Sequence, residues 1–100
     1  MIYSDSYKYI KIPEIIVMDK NLSHLSKLIF GKILSYYQIN NVCFVSNNTL
    51  AKYFNVDIRT IQRCINQLYK NEYILINPND NLRNGKSRYI YINFNKITWQ

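Results

Sequence analysis

Glycine is nearly absent from this chain of 100 residues, where only Gly31 and Gly85 occur. A loop that cradles phosphate on its backbone amides needs several glycines close together, so nucleotide-binding motifs of that kind are excluded. Histidine occurs once, as His24, and cysteine twice, as Cys43 and Cys64, without Cys-x-x-Cys spacing. That set cannot supply a structural zinc site, and two isolated thiols make no disulfide framework. Acids are scarce as well. Asp5, Glu14, Asp19, Asp57, Glu72 and Asp80 are the full set, and no two stand three or four residues apart. No helix therefore presents paired carboxylates for acid–base work. We expect no enzyme activity, no metal and no cofactor. No apolar run approaches the roughly 18–20 residues of a membrane span, and MIYSDSYKYIKIP lacks a secretory pattern. A reduced, cytoplasmic protein without a membrane partner is the expectation.

Against these absences stand many apolar residues and many cations. Hydrophobic residues make up 48% of the chain, which argues for a packed core rather than disorder. Thirteen Lys and Arg against six Asp and Glu give a net charge of +7, which favours a polyanionic partner. The excess is uneven. Residues 59–88 hold six cations and two acids, +4 of the +7, whereas Lys8 and Lys11 cancel Asp5 and Glu14 in the first 18 residues. Ile, Asn, Tyr and Lys number 16, 14, 10 and 9. Their codons are A/T-rich, so coding composition accounts for the ten tyrosines without a nucleotide-stacking surface.

Along the chain, YKYIKIP (7–13) alternates and stops at Pro13, which predicts a short extended arm or edge strand. EIIVMDKN leads into a helix start at Leu22-Ser23, with Ser23 as cap. In HLSKLIFGKILSYYQIN, Leu25, Leu28, Ile29, Ile33 and Tyr36 recur at helical spacing, and Phe30, Leu34 and Tyr37 widen the stripe almost to the full circumference. Such a helix is either the central core helix or partly an interface. CFV is a short extended piece. SNNTLAKYF (46–54) predicts a second helix capped by Ser46, closed by Asn55 in a left-handed turn. Val56 plugs the corner, and Asp57 caps a third helix over about 58–71. YILIN (73–77) and RYIYINF (88–94) are strand-like, and the loop between them contains Asn84-Gly85, a hairpin signal. The order helix, short strand, helix, turn, helix, hairpin predicts an α+β winged helix-turn-helix, three helices plus a C-terminal β-hairpin wing, as a single domain over 1–100.

The third helix carries the functional signal. Ile61, Ile65 and Leu68 share one side, with Ile58 and Cys64 flanking. Measured from Ile61 at about 100° per residue, Arg59, Arg63, Asn66 and Lys70 lie near 160°, 200°, 140° and 180°. Gln62 and Gln67 sit on the shoulders. Arg forks onto guanine, Asn or Gln onto adenine, and Lys meets phosphate, so this stripe suits a major groove. A merely solvated face could be any mixture of polar residues; this one holds three cations and no acid. Arg83, Lys86 and Arg88 place cations on the wing (77–88), where they reach the backbone or minor groove, or else protect an exposed edge. Ser46, Asn47, Asn48 and Thr49 offer polar groups at a helix N-terminus, a natural phosphate site, although capping alone explains Ser46.

KIPEIIVMDKNLSHLSKLIFGKIL, FVSNNTLAKYFNVDIRTIQRCINQLYKNEYI and RYIYI together resemble the winged helix-turn-helix domain of plasmid and phage replication initiators. They are similar, too, to the replisome-organiser N-terminal domains of low-GC bacteria. The similarity covers about residues 8–93. Its most specific parts are the Pro followed by LSxxxKL at Leu22–Leu28 and R-T-I-Q-R-x-I-x-x-L at Arg59–Leu68. The resemblance implies that Arg59, Thr60, Gln62 and Arg63 form the DNA-facing start of the recognition helix. Glu72 departs from the family, which often has Gly there; Asn71 is expected to supply the left-handed turn instead. Initiators usually continue into further domains, so the resemblance implies either a fragment or a stand-alone regulator.

Double-stranded DNA is the expected partner, bound in a sequence-specific manner to start replication at an origin. The alternatives are a transcriptional regulator, a partition adaptor on a centromere-like site, and a protein-interaction winged helix without DNA. Replication or partition proteins are the expected further partners. The broad apolar face of the first long helix, with NFNKITW near the C-terminus, motivates an expected homodimer.

Overall fold

The computed structural model describes residues 9–40, 43–76 and 88–97. The elements in order are α1 (Glu14–Val17), α2 (His24–Asn40), β1 (Cys43–Val45), α3 (Asn47–Phe54), α4 (Ile58–Lys70), β2 (Ile74–Ile76), β3 (Arg88–Ile92) and α5 (Phe94–Ile97). Helices α2, α3 and α4 are the three that the periodicity predicts. The strands form an antiparallel sheet in the order β1-β3-β2, with Phe44 opposite Tyr89 and Leu75 opposite Tyr91. This is a winged helix-turn-helix, and CFV, expected as a short strand, is β1 at one edge of the sheet.

The breadth of the α2 stripe is explained by its place. Ile29, Phe30, Ile33 and Leu34 are buried, and α2 packs against α4, β1 and β3. It is the central core helix, so its apolar breadth by itself no longer argues for a partner copy. Leu28 and Ile39 remain exposed. Gly31 has a packing reason. A Cβ there would meet Ile12 Cγ1 at 2.9 Å and Ile10 Cδ1 at 3.1 Å, so the missing side chain lets the arm 9–13 lie against the helix. That arm joins no strand among the described residues; the edge-strand alternative is corrected, because its apolar side chains pack on α2 instead of pairing with the sheet. Helix α1 was not anticipated. Its turn forms after Pro13, whose carbonyl accepts from the Ile16 and Val17 amides, and Lys27 Nζ donates to the Val17 carbonyl at 2.6 Å.

Helices α3 and α4 end alike. At α3 the Val56 amide reaches back to Ala51 O at 3.0 Å and Asn55 takes φ 58°, ψ 48°. At α4 the Tyr73 amide reaches Leu68 O at 3.0 Å, and the left-handed residue is Glu72, with φ 66°. This corrects the expectation for Asn71, which keeps φ −87°. Asn71 is held instead by its Nδ2, which donates to Gln67 O at 2.8 Å, while Asn93 Nδ2 donates to Glu72 O at 2.7 Å and fixes the turn. A left-handed conformation costs a non-glycine residue roughly 1–2 kcal/mol. Glu72→Gly is therefore expected to raise stability by about 0.5–1 kcal/mol, the relief being partly offset by glycine's greater freedom in the unfolded chain. Urea denaturation checks this, and an unchanged or lower midpoint counts against it.

Candidate nucleic-acid interface

Local caps hold α3, the turn and α4 in place. Ser46 Oγ accepts from the Thr49 amide at 3.1 Å and Asp57 Oδ1 from the Thr60 amide at 2.7 Å. Hydrogen bonding from Thr60, side chain first and then amide, holds the Asp57 carboxyl below its usual range, helped by the nearby Arg63 and Arg59 guanidiniums. The Asp57 carboxylate also suits the positive end of the helix. Between the helices, Val56 packs half-buried against the core.

Helix α4 has two distinct sides. Ile61, Cys64, Ile65 and Leu68 are buried. Arg59, Arg63, Asn66 and Lys70 are all exposed, as the angular reading expects. Gln62 and Thr60 are half-buried on the shoulders. No acid occurs anywhere in Ile58–Lys70, so the exposed stripe is a continuous cationic and amide surface.

Gln67, expected on a shoulder of the stripe, is also a structural tie. Its Oε1 accepts from the Ser23 amide and from Ser26 Oγ, both at 2.7 Å. Ser26 is fully buried, its amide donates to Ser23 Oγ at 3.1 Å, and Ser23 Oγ lies 3.9 Å from Cys64 Sγ. Gln67 thus ties the N-terminus of α2 to α4, and the carbonyl committed there is no longer a free acceptor.

Asn47 requires a larger revision. It is 3% exposed, and its Oδ1 is buried without a hydrogen-bond partner among the described residues, so its side chain is not on the surface a phosphate would meet. The first position of α3 shares the buried side of the helix with Leu50 and Ala51, three and four residues on. Asn48 and Thr49 are exposed beside it. Arg83 and Lys86 lie outside the described residues, and Arg88 opens β3 opposite Val45.

The structure adds Asn21 and Asn71 to the site residues that the pattern gave. Asn21, Arg63, Asn66, Gln67, Lys70 and Asn71 line a groove of about 380 Å³ between the segment before α2 and the exposed side of α4. Only the LSxxS spacing hinted that the α2 start is special, and nothing in the sequence joins it to a helix 41 residues later. The same segment is tied to the far end of α4, where Tyr73 OH donates to Asp19 Oδ2 and Asp19 Oδ1 accepts from the Asn21 amide at 2.8 Å. The Tyr73 hydrogen bond is the main cause that holds the Asp19 carboxyl below its usual range. Burial, followed by the Asp19 carboxylate, pushes the Tyr73 phenol up to about 12.

A lowered carboxyl pKa contributes stability that is present above the unfolded value near 3.9 and is lost as pH falls through the folded value. Tyr73→Phe keeps the ring against Phe30 but removes the donor. It is expected to cost about 1 kcal/mol at neutral pH, below the range for a buried charged acceptor because Asp19 is part-exposed. The Asp19 pKa should rise toward 3.9, and the gap between variant and wild type should close in acid. Melting temperatures across the acid range, with carboxyl NMR shifts, test this; a gap that is constant with pH would contradict it.

No curated protein and no solved structure shows significant similarity to this chain. Among the described residues, no helix is long and apolar enough to cross a membrane. Residues 20–74, from the segment before α2 to the start of β2, match the family described as a helix-turn-helix domain over more than half of the chain, and the chain belongs to that family.

Proposed function

We propose that this protein binds double-stranded DNA in a sequence-specific manner, with α4 in the major groove. The family points to DNA as the partner. The observation that carries the specific reading is the two-sided α4, whose exposed side presents Arg59, Arg63, Asn66 and Lys70 while its other side is anchored in the core. Arg63 and Asn66 stand at mid-helix, suited to base edges, and Lys70 at the last turn suits a phosphate. Asn48 and Thr49 at the exposed start of α3 suit a flanking phosphate, and the β2–β3 wing with Arg83, Lys86 and Arg88 suits the backbone or minor groove.

Marking a replication origin of a plasmid or phage is the role we assign, on the resemblance of residues 8–93 to initiator domains. The same helix would serve a promoter-binding regulator or a partition adaptor, and one experiment separates them. Binding is measured by anisotropy on DNA flanking the protein's own gene, at several salt concentrations, with random duplex as competitor, followed by a footprint. A tight complex on repeated sites within an origin supports the proposal. A footprint confined to a promoter would replace initiation by regulation, and one confined to a centromere-like array would replace it by partition. Binding only at low salt, equal for any duplex, would remove sequence-specific recognition altogether.

A further inference from the structure

The sheet has a second face that the helix-turn-helix does not use. Its inner face buries Cys43, Val45, Ile74, Ile76, Ile90 and Ile92 against the helices. Strand alternation turns Phe44, Leu75, Tyr89 and Tyr91 to the other side, where they are 57%, 48%, 45% and 41% exposed. The register gathers them: Phe44 lies opposite Tyr89 and Leu75 opposite Tyr91, with the two tyrosines two residues apart on the central strand. The Phe44 and Tyr89 rings are 4.7 Å apart between centroids and tilted by 34°, so they form one aromatic surface.

One aromatic on a strand and two at alternate positions on its antiparallel neighbour is an arrangement that sheet-faced RNA-binding modules use to stack roughly two or three bases. Stacking of this kind tolerates any base, because every base has a π-face. We propose that this face is a binding site for single-stranded DNA, whose bases stack on Phe44, Tyr89 and Tyr91 beside the apolar Leu75. The charge agrees. The three strands contain Arg88 and no acid, within a chain of net charge +7. The area argues against a second copy as occupant. Aromatic side chains of this size bury about 150–250 Å² when fully covered. Three such rings and Leu75, about half covered already, leave roughly 400 Å², half of the ~800 Å² per partner of a stable protein interface. That area is ample for a few bases. The number of tyrosines in the chain had no such meaning; the placement of two of them does. The choice of DNA over another single strand follows from the family, and the proposal is otherwise independent of how α4 reads a duplex.

The test is anisotropy of a labelled short oligothymidylate at low salt, with excess unlabelled random duplex to occupy α4. The expected complex survives the duplex. Tyr89→Ala and Tyr91→Ala should each weaken it about five- to 150-fold, the range for loss of one base–aromatic stack. Tyr89→Phe and Arg63→Ala should leave it unchanged. Photocrosslinking of a bromodeoxyuridine strand to the unsubstituted protein needs no variant to fold, and should mark Phe44, Tyr89 or Tyr91. Absence of a complex, its displacement by duplex, or crosslinks confined to α4 would overturn the proposal. So would a two-copy mass in solution that Phe44→Ser returns to one copy. Failure of duplex specificity would sink the α4 reading and leave a positive result here standing.

Discussion

Arg63→Ala is expected to weaken binding to the preferred duplex by about 1–3 kcal/mol, roughly five- to 150-fold, and to relax base preference at one position of the site. The side chain is exposed near the middle of α4, flanked by Arg59 and Asn66, and lines the groove that also holds Asn21. A guanidinium there can fork onto guanine, and its loss leaves base acceptors without donors. Stability should hardly change. Arg59 and Arg63 are like charges four residues apart, so removing one relieves a small repulsion, within about 0.5 kcal/mol. Lys70→Ala is the contrast. As a phosphate contact it should weaken all sequences alike and reduce the salt slope by about 0.9. Competition titrations with single-base variants of the site separate the two. Equal, sequence-blind losses from both would sink this division of roles.

What was legible in the sequence follows the range of the interactions. Ser46, Asn55 and Asp57 act on amides and carbonyls within a few residues, so each could be read directly and each stands where expected. The angular separation on α4 was legible for the same reason, since helix geometry alone fixes it. The tie made by Gln67 was not, because nothing local marks its carbonyl as the partner of Ser23 and Ser26, which lie more than 40 residues earlier in the chain. Glu72 was misread because propensity favours Asn in the left-handed region. The contacts of Asn71 with Gln67 and of Asn93 with Glu72 outweigh that preference. Asn47 was misread because a polar residue at a helix start is usually outside, whereas here it shares the buried side of α3 with Leu50 and Ala51. The short α1 depends on Lys27 and on the core that covers Ile16, both tertiary.

The other side of α4 is where the largest loss of stability is expected. Leu68 is fully buried in the last turn of α4, and its carbonyl accepts the Tyr73 amide that closes the turn into β2. Leu68→Ala should cost about 2–5 kcal/mol, the lost burial plus the cavity left behind. A domain of this size has only about 5–15 kcal/mol in total, so the melting temperature should fall by roughly 10–30 °C. The backbone hydrogen bonds of the turn survive, because alanine keeps the carbonyl and favours helix. Well below its lowered melting temperature the variant should therefore bind its preferred duplex nearly as the unsubstituted protein does. Arg63→Ala should show the reverse, weakened binding with an unchanged melting temperature. Calorimetry and titration on the same two preparations decide the matter. If Leu68→Ala abolishes specificity while still folded, the core beneath α4 also sets its angle in the groove. If its melting temperature hardly moves, Leu68 is not the anchor described here.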